Sequence, residues 1–125
     1  MGNAPRPIAI YSSRGDLGAY MVYPNLFNPS GEWIGWVEPD RRVYSVLGYY
    51  VGYLTNDPRI LRKRSADAMI PKRTPPPYPG RISPPASNPL APLMSEISYD
   101  TIDVLFECPD QLHTLDTGEF KEDLD

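Results

Sequence analysis

Tyr44-Ser45-Val46-Leu47-Gly48-Tyr49-Tyr50-Val51-Gly52-Tyr53 decides the fold, because its spacing occurs three times. The cadence is aromatic-x3-Gly-x3-small-aromatic. It recurs as Tyr11-x3-Gly15-x3-Ala19-Tyr20 and Phe27-x3-Gly31-x3-Gly35-Trp36, with offsets of 16 and then 17 residues. Self-similarity at a short fixed period means one supersecondary unit repeated, each copy too small to bury its own face alone.

Each unit reads as a β-hairpin. The loops are Ser12-Ser13-Arg14-Gly15, Asn28-Pro29-Ser30-Gly31 and Ser45-Val46-Leu47-Gly48. Ser or Asn at the first position can bond the backbone, Pro29 presets φ at the second, and glycine at the fourth accepts positive φ. That is the chemistry of a type I turn with a G1 bulge. Pro24-Asn25, Pro39-Asp40 and Asn56-Asp57-Pro58 mark the turns between units. Continuing the offset by 17 lands on Leu61, Ser65 and Met69, so a degenerate fourth hairpin is expected from about Arg59 to Ile70. Four hairpins can close a ring, whereas three leave an edge exposed.

Strict alternation puts Leu17/Ala19/Met21, Trp33/Gly35/Val37 and Tyr50/Gly52/Leu54 on one face, and Tyr20, Trp36 and Tyr53 on the other. Leu17, Trp33, Val37, Tyr50 and Leu54 are therefore the candidate lining of an apolar centre. The small slot at Ala19, Gly35 and Gly52 predicts close backbone approach at a crowded axis. A hydrophobic core with repeat geometry explains these positions without a dedicated ligand cage.

These hairpin units, followed by Arg59-Ile60-Leu61-Arg62-Lys63-Arg64, resemble the four-fold β-flower proteins over roughly residues 8 to 70. Pro89-Leu90-Ala91-Pro92-Leu93-Met94 before an acidic segment also looks familial. The resemblance implies a small bacterial protein: a shallow barrel-like ring of hairpins around a pseudo-symmetric axis, with an apolar centre. It further implies a distant likeness to Tubby-type lipid-binding domains and no established activity. Ala19 in place of glycine and the eroded fourth unit depart from the pattern.

Beyond the repeats the composition shifts. Nine of the 16 prolines fall between Pro71 and Pro92, which excludes a helix or central strand and predicts an extended, polyproline-like connector. The expected organisation is a four-hairpin all-β domain over 7–70, a proline-rich connector over 71–93 and an acidic segment over 94–125. Residues 1–90 carry 11 Lys/Arg against 6 Asp/Glu, while residues 91–125 carry 1 against 10. A basic ring and an acidic tail invite contact within one chain or between copies. Met94, Ile97, Tyr99, Ile102, Val104, Leu105 and Phe106 supply enough apolar surface for the tail to dock, as a short helix or a strand.

Chemistry-bearing motifs are few. One histidine (His113) and one cysteine (Cys108) make neither a metal set nor a supported nucleophile dyad, so no cofactor and no catalytic residue is expected. The carboxylate pairs Asp100/Asp103 and Glu119/Glu122 fall on the tail. Pro75-Pro76-Pro77-Tyr78 matches the pattern read by WW domains, and is read here as composition. Arg59, Arg62, Lys63 and Arg64 are the basic-surface candidates. Arg62 and Arg64 share a strand face that Lys63 opposes, so no continuous stripe for nucleic acid forms. No stretch is long or apolar enough to span a bilayer and no signal peptide is apparent, so a cytoplasmic location is expected. The expected function is a non-enzymatic interaction or assembly module, with self-association or another protein as partner. The alternative is a small-molecule or anionic-lipid binder using the apolar centre and the basic cluster.

Overall fold

The computed structural model describes residues 6–65 and 70–115. The chain forms one antiparallel eight-stranded sheet in sequence order: β1 (Ile8–Tyr11), β2 (Leu17–Val22), β3 (Asn25–Phe27), β4 (Trp33–Val37), β5 (Arg42–Ser45), β6 (Tyr50–Leu54), β7 (Ile60–Lys63) and β8 (Thr101–Asp103). A four-residue helix, α1 (Val104–Glu107), and a 3₁₀ turn at Pro109–Gln111 follow.

The three hairpin loops have the geometry that their residues require. Gly15, Gly31 and Gly48 sit at φ 87°, 90° and 94°. In each loop the glycine N–H donates to the first turn residue, as Gly48 N–H does to the Ser45 carbonyl at 2.8 Å. The fourth hairpin differs from expectation. The strand that pairs with β7 on the side away from β6 is β8, in the register Leu61–Asp103, Arg62–Ile102 and Lys63–Thr101. Residues 66–69, including Met69, lie outside the described residues. The strand beside β7 thus comes from far along the chain.

A second departure recurs in each of the three regular hairpins. The register shifts between Ile10 and Tyr11, between Leu26 and Phe27, and between Val43 and Tyr44. Gly18, Ile34 and Val51 are thereby left without a partner across the ladder. A bulge turns two successive residues outward from simple alternation. It divides the apolar residues between two clusters. One is aliphatic: Ile10, Ala19, Leu26, Ile34, Val37, Val43, Val51, Leu54 and Ile60 from the sheet. The other is aromatic: Tyr20, Phe27, Trp33, Trp36 and Tyr44, with Val46.

Two segments cover these clusters. Val104 and Leu112 from the C-terminal segment complete the aliphatic cluster, with Leu105 and Cys108 packed against it. The proline-rich stretch, which has neither helix nor strand from 71 to 98, lies along the hairpin loops as a belt. The Arg73 N–H donates to the Gly48 carbonyl and the Ile82 N–H to the Gly31 carbonyl, both at 2.9 Å. Ala91 lies against Gly15. Arg64, at the end of β7, donates its N–H to the Asp100 carbonyl at 2.6 Å. Positions 73, 82, 91 and 100 are nine residues apart, so the belt visits the units in the order third, second, first, fourth.

The β1 edge is managed against strand addition. Pro7 has no N–H to offer, and the Tyr11 N–H is taken by the Pro58 carbonyl at 3.2 Å.

Candidate functional site

The five candidates for an apolar centre do not stay together. Val37 and Leu54 enter the aliphatic cluster, while Leu17, Trp33 and Tyr50 belong to the aromatic one. The bulges are the reason. They send Ile34 and Val51 to the aliphatic side, where strict alternation had placed Trp33 and Tyr50. The sequence signal that could have revealed this was present: Ile34 and Val51 occupy equivalent places in their repeats, and Gly18 is their counterpart in the first.

The aliphatic centre is filled by the chain itself. A Cβ added at Gly18 would lie 2.7 Å from the Leu105 Cδ1, so the glycine leaves a socket for that leucine. Leu112 Cδ2 approaches Gly35 in the same way. The tight slots at Gly35 and Gly52 mark approach between neighbouring strands. A Cβ there would fall on the Tyr44 and Leu61 carbonyl oxygens respectively.

The basic candidates are also engaged. Arg59 is 3% exposed, which corrects its assignment to the surface. Its Nη2 reaches Asp57 at 2.6 Å, and its Nη1 donates to the Ser13 hydroxyl at 2.9 Å. The Ser13 N–H in turn donates to Asp103 at 2.5 Å, so a partly buried polar seam joins the first loop, the residue before β7, and β8. Burial alone would raise the Asp57 pKa. Hydrogen bonds from Arg59 and Thr55, with the Arg59 charge, outweigh it and hold the carboxyl below its ordinary value. Arg62 donates to Gln111 at 2.7 Å, Lys63 pairs with Asp100 at 3.7 Å, and Arg64 pairs with Glu107 at 3.4 Å. Arg64 also donates from Nε to the Tyr99 carbonyl at 2.6 Å. The acidic C-terminal segment is thus the partner of this cluster within the chain.

The two most exposed large apolar side chains lie towards the end of the belt. Leu90 and Leu93 are 95% and 101% exposed, and Ile8 on β1 is about half exposed. Ile8 and Leu90 border a groove of about 710 Å³ between β1 and the belt, floored by Pro7, Ala9, Pro58 and Pro89. Large apolar side chains that border one groove, as Ile8 and Leu90 do, mark contact sites more often than scattered ones do.

Of the chemistry-bearing residues, Cys108 packs against the aliphatic cluster, and His113 Nδ1 lies 2.9 Å from the Thr114 carbonyl. Among the described residues no three His, Cys, Asp or Glu side chains converge as metal ligands, and no helix is long and apolar enough to cross a membrane.

Eight curled antiparallel strands built from repeated hairpins agree with an independent comparison: the sequence model of the 4-fold beta flower proteins matches residues 8–105. The chain belongs to the 4-fold beta flower family. The match runs from β1 through β8 into α1, so the belt and the late strand fall inside the family unit with the three regular hairpins. No curated protein matches this beta flower chain, and no solved structure does.

Proposed function

We propose that this beta flower protein is a non-enzymatic interaction and assembly module that presents the end of its belt to a protein partner, a second copy of itself first. The observation that carries this reading is the full exposure of Leu90, which borders the β1 groove, and of Leu93 three residues further on. Burying a leucine side chain is worth about 1.5–3 kcal/mol, so two such residues left in water are a strong drive for association. The aliphatic centre favours a contact surface over an internal ligand, because Leu105 and Leu112 already occupy it. Protein is favoured over anionic lipid as the partner. Arg59 is buried, and Arg62, Lys63 and Arg64 are satisfied within the chain.

Sedimentation velocity of the full-length chain tests the reading. The parent is expected to associate at micromolar concentration, and the Leu90→Ser/Leu93→Ser variant to sediment as a monomer with an unchanged circular dichroism spectrum. A parent that stays monomeric throughout, or a double variant that associates equally, would sink it.

A further inference from the structure

Between β2 and β3 the chain turns through Tyr23 and Pro24, and the Val37 N–H at the end of β4 donates to the Pro24 carbonyl at 2.7 Å. The turn is thereby fixed beside Trp36 and Glu38. The belt adds a third wall at Pro76, three residues beyond the Arg73 N–H that bonds Gly48. With Pro39 these residues enclose a surface pocket of about 330 Å³, at the lower end of the range for small-ligand sites. Its walls are aromatic and proline rings, and its one ionised lining side chain is Glu38. The Glu38 Oε2 accepts the Trp36 indole N–H at 2.7 Å, while Oε1 has no partner among the described residues. The repeat does not call for this carboxylate: the equivalent positions, two beyond Tyr20 and Tyr53, hold Val22 and Thr55. Elsewhere the chain supplies cations to its own rings, with Arg14 over Phe106 at 4.7 Å, Lys72 over Tyr49 at 4.8 Å and Arg73 over Tyr44 at 5.9 Å. The Tyr23–Trp36 pocket has the rings and a carboxylate, but no Lys or Arg among its lining residues.

We infer that this pocket binds an organic cation of the trimethylammonium type. A lone carboxylate between apolar walls selects a positive ligand, and the negative faces of aromatic rings select one that is weakly hydrated. Tyr23 is 59% exposed, so its ring is open to a ligand, while Trp36, stacked on Tyr44 at 5.3 Å, forms a fixed floor. Apart from Glu38, the side-chain acceptors in the lining are the hydroxyls of Tyr23 and Thr74. A primary ammonium or a guanidinium would bring several N–H donors to a site with few acceptors, whereas a trimethylammonium group brings none. No residue of this pocket lines the β1 groove, so binding here does not depend on self-association.

The test follows the Trp36 indole N–H of the full-length chain by proton–nitrogen correlation NMR, with Trp33→Phe identifying which of the two indole signals it is. Choline should shift that signal saturably, with a dissociation constant of about 1 mM. Dimethylbutanol, the uncharged carbon isostere of choline, should bind at least about tenfold more weakly. Glu38→Gln keeps an acceptor for the indole and should weaken choline about tenfold. Tyr23→Leu, at a more than half exposed site, removes the ring and leaves Glu38 in place; it should weaken choline several-fold, and carries the test if Glu38→Gln fails to fold. A short peptide bearing trimethyllysine distinguishes the sources of the group. Tighter binding than choline assigns the pocket to a modified protein side chain and weaker binding to a free small molecule, and either supports the cation site. No saturable shift by either cation at roughly 50 mM, an equal shift by dimethylbutanol, or choline binding undiminished in the folded variants would overturn it.

Discussion

At Gly35 and Gly52 the absence of a side chain matters because a neighbouring carbonyl occupies its space, not because of an unusual φ. Gly35→Val and Gly52→Val should each cost about 3 kcal/mol or more, since the obstructing atom is backbone and cannot rotate away. Thermal unfolding of each variant checks this, and two wild-type midpoints would overturn the packing argument. Gly18→Ala should be milder, at about 1 kcal/mol, because the Leu105 side chain that it meets can move. Asp57 gives a pH-dependent case. Its folded pKa lies below its ordinary value, so its contribution is present above about pH 4 and is lost as pH falls through the depressed value. Asp57→Asn should therefore lower stability by about 2 kcal/mol at pH 7 and by less at pH 3. Urea unfolding at the two pH values reads the difference; an equal loss at both would remove the ionised Asp57–Arg59 pair as its cause.

Among the elements, α1 and the 3₁₀ turn are too short to form by helix propensity alone and exist because they fill the aliphatic cluster. Leu112→Ala should cost about 2–4 kcal/mol as a cavity mutation. The charged links around this segment are weaker supports. Lys63 and Asp100 are both more than half exposed, so Lys63→Ala should change stability by less than about 1 kcal/mol. A chain ending at Asp103 keeps β8 and loses Leu105 and Leu112. It should bind a hydrophobic dye that the full-length chain does not, and a dye signal equal to the parent's would mean that the segment covers little. The bulges act at the same scale: one extra residue in each second strand separates the aromatic face, which meets the belt, from the aliphatic face, which meets the C-terminal segment.

Across the whole molecule, the belt passes the three hairpin loops from Arg73 to Ala91 and reaches β7, where Arg64 meets Tyr99 and Asp100. The fourth unit is completed only there, because β8 is its second strand. Contacts so distant in sequence form late, after their loop-closure entropy has been met by other interactions. The Leu90→Ser/Leu93→Ser variant should separate assembly from folding. Both side chains are in water, so its melting midpoint should stay within about 2 °C of the parent while association is lost. A large drop in midpoint would show that the leucines support the fold and would undo their assignment as a contact surface.

Local chemistry determined the hairpins. Ser or Asn, then glycine three positions on, specifies a tight loop through contacts within a few residues, and three copies of it specified the repeat and the all-β class. The proline-rich stretch was likewise legible as non-helical from the missing N–H groups alone. The division of Leu17, Trp33 and Tyr50 from Val37 and Leu54 was not legible from alternation, because a bulge changes which face a residue takes without changing the turn that precedes it. Nor did composition reveal that Arg59 is buried, that β8 comes from residues 101–103, or that the belt steps back along the loops. Those features depend on contacts between residues 25 to 90 apart in sequence. Such pairings are chosen by which buried surfaces and backbone groups remain unsatisfied once the hairpins have formed, and only the tertiary structure decides that.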